Sequence, residues 1–153
     1  MGIFDLLFKK SENTTKALKT KDFFVVGTYY HQNEISKLAV ANKDYKSKAN
    51  TLIEQEKTMQ RIFQYTFINK PVKLVPEPNN KHDKNAVKVI IAGEHVGYIK
   101  REECSQVKNI LNNKEIKYIS AFISGGKYKI VNNDGSIEKD ELDISINIRI
   151  AYV

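Results

Sequence analysis

The chain has 153 residues, 41% hydrophobic and 28% charged, which suits one folded domain with a substantial core rather than a disordered polymer. Its single cysteine, Cys104, excludes an internal disulfide and a cysteine-built zinc cage. The 25 basic residues exceed the 18 acidic ones by seven, a balance that suits a phosphate-bearing partner and equally a solvated lysine-rich surface.

The chain opens with MGIFDLLFKK, whose apolar residues Ile3, Phe4, Leu6, Leu7 and Phe8 are interrupted by Asp5. That run is too short for a signal-peptide core or a membrane span. A myristoylation signal needs Ser or Thr where Leu6 stands. Residues 9–22 are polar and aperiodic, so residues 1–22 are expected to form a flexible arm ahead of a domain over 23–153. The expected location is cytoplasmic.

FFVVGTYYH, residues 23–31, is β-branched and aromatic and reads as a strand, with Gly27 allowing close approach of a backbone or ligand. From Ile35 to Phe63 the apolar positions step by three and four, which predicts a short helix near 35–42 and a longer one near 46–65. The predicted helical insertion therefore spans about 35–67, and its Met and aromatic stripe is read as core packing. VKLVPEP is a strand stopped by prolines. NAVKVIIAGEHVGYI gives two strands joined at Ala92-Gly93-Glu94, and REECSQVKNILNN a helix with Cys104, Val107, Ile110 and Leu111 on one face. Cys104 is thus an ordinary structural thiol.

KEIKYISAFISGG and KYKIV read as strands separated by Gly125-Gly126, and Asn133-Asp134-Gly135 as a turn. The clearest pattern is the last one: Leu142, Ile144, Ile146, Ile148, Ile150 and Tyr152 alternate with polar or small residues, as in a strand with one wet face. The expected fold class is mainly β with helices (α+β): a small barrel or strongly curled sheet of about six strands, which removes open edges, with flanking helices.

Catalytic chemistry finds little support. His31, His82 and His95 lack metal-ligand spacing, and no cofactor-binding motif is present. Glu77, Asp83 and Lys88 loosely match a metal-dependent nuclease, but Ala86 stands where the second acid should be. A binding role fits better. Asn79, Asn80, His82, Asp83 and Asn85 crowd one loop, where Asn and Asp also serve simply to build the turn. Tyr29, Tyr30, Tyr98, Lys100 and Arg101 add stacking faces and cations suited to single-stranded nucleic acid.

The strings VVGTYY, VKLVPEPNNKHDKNAVKV and HVGYIKRE, followed by a helix and a closing β-region, resemble a HIRAN domain across residues 23–152. The resemblance implies an OB-like, modified β-barrel whose pocket grips the 3′-hydroxyl end of single-stranded DNA. It implies that Asp83 bonds the terminal hydroxyl, with Asn80 as the loop amide. His82 departs from the family's stacking tyrosine. Tyr29 and Tyr30 stand for an arginine-tyrosine pair, and Tyr98 and Arg101 for phosphate contacts, with Lys100 adjacent. The implied role is non-enzymatic binding of DNA 3′ ends in DNA repair, with a helicase or nuclease partner supplying any chemistry. The rival expectation is a protein-interaction or oligomerisation adaptor that uses the 35–67 insertion and the N-terminal apolar patch.

Overall fold

The computed structural model describes residues 16–153, so the apolar patch Ile3–Phe8 and most of the expected arm lie outside the described residues. The chain forms β1 (Lys19–Val26), a 3-10 turn (Thr28–His31), α1 (Gln32–Ser36), β2 (Ala39–Ala41), α2 (Lys43–Lys46) and α3 (Ala49–Glu54). It continues through β3 (Ile62–Phe63), β4 (Tyr65–Phe67), β5 (Val72–Pro76), β6 (Val87–Ile91) and β7 (Glu94–Ile99). A second 3-10 turn (Arg101–Glu103) leads into α4 (Cys104–Asn113), and β8 (Ile116–Val131) and β9 (Ile137–Tyr152) close the chain.

The mainly β expectation holds. Seven strands form one antiparallel sheet in the order β3-β8-β9-β1-β7-β6-β5, and β2 pairs with β4 separately. The order runs from β3 to β5 without returning, so the expected barrel is an open sheet. The alternation in β9 sends Ile146, Ile148 and Ile150 into the core, where they meet Phe23, Val87, Val89 and Val96. Each such side chain contributes roughly 1.5–3 kcal/mol by leaving water. Helix α4 covers this core with Cys104, Val107 and Ile110, all buried. A satellite cluster of Leu52, Ile62 and Val131 lies apart from it.

Strand β1 joins the two halves of the sheet. It pairs with β9 over Lys19–Phe24 and with β7 at Val25 and Val26. The Ala92-Gly93 turn of the β6–β7 hairpin has φ of 49° and 82°, the left-handed pair that a two-residue hairpin demands.

Four expectations need correction. Lys19–Asp22, expected as linker, already pair with Tyr152, Ala151, Ile150 and Arg149 of β9 in that order. The strand at residues 23–31 stops at Val26, because Gly27 takes a left-handed φ of 78° and turns TYYH into a 3-10 turn. Neither expected helix of the insertion runs its length. The one near 35–42 is α1, which ends at Ser36 and gives way to β2 at Ala39–Ala41. The one over 46–65 shrinks to α3, which ends at Glu54, with Glu56 and Met59 at φ of 57° and 60°. The aromatic and β-branched residues that follow make β3 and β4 instead. Finally, the Gly125-Gly126 pair bends one continuous strand, β8, at a bulge opposite β9 and does not separate two strands.

Candidate nucleic-acid interface

The loop between β5 and β6 is built on Asn80. Its Oδ1 accepts hydrogen bonds from the backbone N–H groups of His82 at 2.9 Å and Asp83 at 3.0 Å. Its Nδ2 donates to the Glu77 carboxylate at 3.2 Å, and its own N–H donates to the Glu77 carbonyl at 3.1 Å. Asn80 is therefore committed to the turn, the structural role open to any Asn in such a loop. Asp83 is only half committed. Oδ1 accepts from the Asn85 N–H at 2.9 Å, while Oδ2 faces Arg101 Nε at 3.7 Å. Arg101 is 81% exposed at its side chain, so this contact adds little stability and leaves a solvent-accessible cation beside a carboxylate.

A cavity of about 320 Å³ opens here. Asn80, His82, Asp83, Tyr98 and Arg101 contribute its polar wall, and Val26, Ala86, Ile99 and Cys104 its apolar floor. Tyr98 stands on β7 directly opposite Val26 of β1 and Lys88 of β6. Gly97 makes that placement possible: a Cβ there would lie 2.4 Å from the Val26 carbonyl oxygen. The Tyr98 hydroxyl, followed by the Asn80 amide, holds the Glu77 carboxyl below its ordinary value against some loss of water, helped by the charges of Lys88 and His95. Burial, and then that same carboxylate, pushes the Tyr98 phenol up.

Behind Tyr98 the rings continue. His95 meets it edge-on at 5.0 Å, and His31 lies 4.1 Å from His95. His95 is held below the usual histidine value by burial first, then by His31 and Lys88. Cys104 is buried, and desolvation raises its thiol, which makes it a poor nucleophile.

The structure thus gathers Asn80, His82, Asp83, Tyr98 and Arg101 around one cavity. It leaves Tyr29 and Tyr30 outside that lining, 81% and 82% exposed on the 3-10 turn, with their rings edge-to-face at 5.5 Å. Tyr29 instead borders a separate hollow with Thr28, Gln32, Leu142 and Ile144. Lys100 also stays outside the lining, exposed, with its N–H donated to the Phe24 carbonyl at 2.8 Å. Sequence reasoning missed Val26 and Ile99 as pocket floor. The available signal for Val26 was an apolar residue immediately before a glycine that ends its strand.

A family model described as HIRAN domain matches residues 18–151. The chain belongs to the HIRAN domain family. HIRAN domains are nucleic-acid-binding modules, and the match covers every residue lining the cavity. The helicase-like transcription factor of Mus musculus is 51% identical over 47 residues, and that of Oryctolagus cuniculus 47% identical over 47 residues. Each alignment takes in 30% of this chain and 5% of the relative, so the HIRAN chain spans a small fraction of those proteins. Among solved structures, the HIRAN domain of human HLTF aligns with a TM-score of 0.41 and 19% identity, over 87% of this chain and 74% of that one. A Lactobacillus plantarum protein aligns with a TM-score of 0.41 and 12% identity, over 90% and 98% respectively. Among the described residues of this HIRAN chain, no helix is long and apolar enough to cross a membrane.

Proposed function

We propose that this HIRAN domain captures the 3′-hydroxyl end of single-stranded DNA, without catalysis of its own. The observation that carries the reading is the half-committed Asp83 carboxylate, set beside Arg101 in a cavity with an apolar floor. A carboxylate accepts a hydrogen bond from a free terminal hydroxyl, whereas a terminal phosphate or a continuing phosphodiester brings negative charge against it. Arg101, with Lys100 next to it, holds the penultimate phosphate. Tyr98 and His82 flank the terminal nucleoside, and Tyr29 and Tyr30 offer stacking faces at the rim. Asn80 acts through the loop it organises. Any reaction on the captured end belongs to a partner such as a helicase or nuclease, in a repair setting.

Fluorescence anisotropy with matched oligonucleotides ending in 3′-hydroxyl or 3′-phosphate tests this. The hydroxyl end should bind at least about tenfold tighter, the scale of one charge-assisted hydrogen bond. Asp83→Ala should abolish the preference, and Arg101→Ala should lower the salt slope by about one. Equal affinity for both ends in the unmodified protein would sink the mechanism.

A further inference from the structure

The sheet face turned away from the core carries a row of aromatic side chains that the pocket does not use. Strand register places Phe24 of β1, Asn147 of β9 and Phe122 of β8 side by side across the sheet. Phe24 is 55% exposed and Phe122 49%, with Tyr118 further along β8 at 48%. The rows on either side hold small residues on β8, Ser120 and Ser124, with Ser145 opposite the latter. The rings therefore stand above a low floor on the Ser124 side, while the Ser120 side is filled by Arg149 and Asp22. Arg149 lies 5.1 Å from the Phe122 ring centroid and is fixed there by two bonds to Asp22, at 2.7 and 2.9 Å. Between the two phenylalanines, Asn147 Oδ1 is buried without a hydrogen-bond partner.

On β1 this row shares a strand face with one residue of the cavity lining, and the Glu103 carboxylate, which accepts the Phe24 N–H at 3.0 Å, stands beside it. Phe23 and Val25 pack into the core, so Phe24 and Val26 share the opposite face of β1. Val26 lines the cavity, and Tyr98 stands across from it. From Val26 to Phe24 is about 7 Å along the strand, and Phe122 lies about 10 Å farther across two strand spacings.

We propose that the Phe24–Phe122 row is a stacking track for single-stranded DNA, receiving the nucleotides on the 5′ side of the captured end. The proposal rests on the 3′-end reading of the cavity for its direction. Exposed rings beside small side chains accept any base, because every base has a π-face, and the Arg149–Asp22 ion pair borders the row as a charge-neutral polar edge. The track, about 7 Å along β1 and about 10 Å across the sheet, has room for several nucleotides beyond the one in the cavity. The surface thus sets a footprint longer than the cavity alone can hold.

The test measures affinity for 3′-hydroxyl oligonucleotides of two, four, six and eight nucleotides. The full chain should gain about tenfold or more between the dimer and the hexamer, then level off. The double variant Phe24→Ser, Phe122→Ser should keep the dimer affinity and lose the gain. Should that variant fold poorly, oligonucleotides carrying 5-iodouridine third to fifth from the 3′ end should cross-link to peptides of β1 or β8 in the unmodified protein. Length-independent affinity with the hydroxyl preference intact, or cross-links confined to residues 80–83, would overturn the track and leave the cavity reading standing. A length gain that persists without any hydroxyl preference would support the track as a strand-binding surface and overturn the end-capture reading instead.

Discussion

Asn80 and Asp83 sit three residues apart in one loop, yet their hydrogen bonds give them different work. Asn80 satisfies two successive backbone donors and braces Glu77, so its removal leaves those donors short of an acceptor. Asn80→Ala should cost about 1–3 kcal/mol in urea unfolding, the usual range for orphaned polar groups. Asn80→Asp should recover only part of that loss: a carboxylate oxygen accepts the same two bonds, but the other oxygen then faces the Glu77 carboxylate where the amide had donated. DNA affinity should follow the loop's integrity in both variants. Asp83→Ala should instead change end preference much more than stability, because its contact with Arg101 is largely solvated. Sequence alone marked both residues, through the density of Asn and Asp in the loop. It did not divide their labour, which depends on which side-chain oxygen meets which backbone N–H.

Among the elements, the decisive contact is the approach of β7 to β1. Gly97 has a φ of 154° and no space for a Cβ, whose nearest neighbours would be the Val26 carbonyl at 2.4 Å and the Val25 side chain at 2.8 Å. The carbonyl is backbone and yields only if the strand moves. Gly97→Ala should therefore destabilise the fold by about 2–4 kcal/mol and displace Tyr98 from the cavity wall, read as a lower thermal midpoint together with weaker DNA binding. Legibility also differs by element. The isoleucine alternation of β9 survived because a period of two has a single structural reading when one face is wet. The three-and-four spacing over 46–65 misled, because residues from two short helices and two short strands happened to fall on a helical period. The breaks at Glu56 and Met59 use left-handed backbone at residues that carry no glycine to announce it. Val26 and Ile99 escaped notice because a pocket floor is made where strands meet, and the register is absent from any one segment.

Across the molecule, the small Leu52–Ile62–Val131 cluster is separate from the main core that supports the cavity. Leu52→Ala should cost about 2–5 kcal/mol of global stability while leaving DNA affinity unchanged at temperatures where the protein stays folded. A matching loss of affinity would mean that the two packing regions are coupled.

The satellite cluster also underpins the far half of the β8–β9 hairpin, to which Val131 belongs. Each of these strands has 16 residues, about 50 Å of contour, whereas a compact chain of this size has a radius of gyration near 15 Å. Ten residues of β9, about 33 Å of contour, separate Ile137 near the tip from Asn147 beside Phe24. The turn at Asn132–Ser136 is tied down by the segment before β3: Thr58 Oγ1 donates to Asn133 Oδ1 at 2.9 Å, and the Met59 N–H to the Val131 carbonyl at 2.9 Å. An exposed residue of this turn such as Asp134 is thus a handle for a fluorophore or tether, more than ten residues of chain away from the proposed aromatic row.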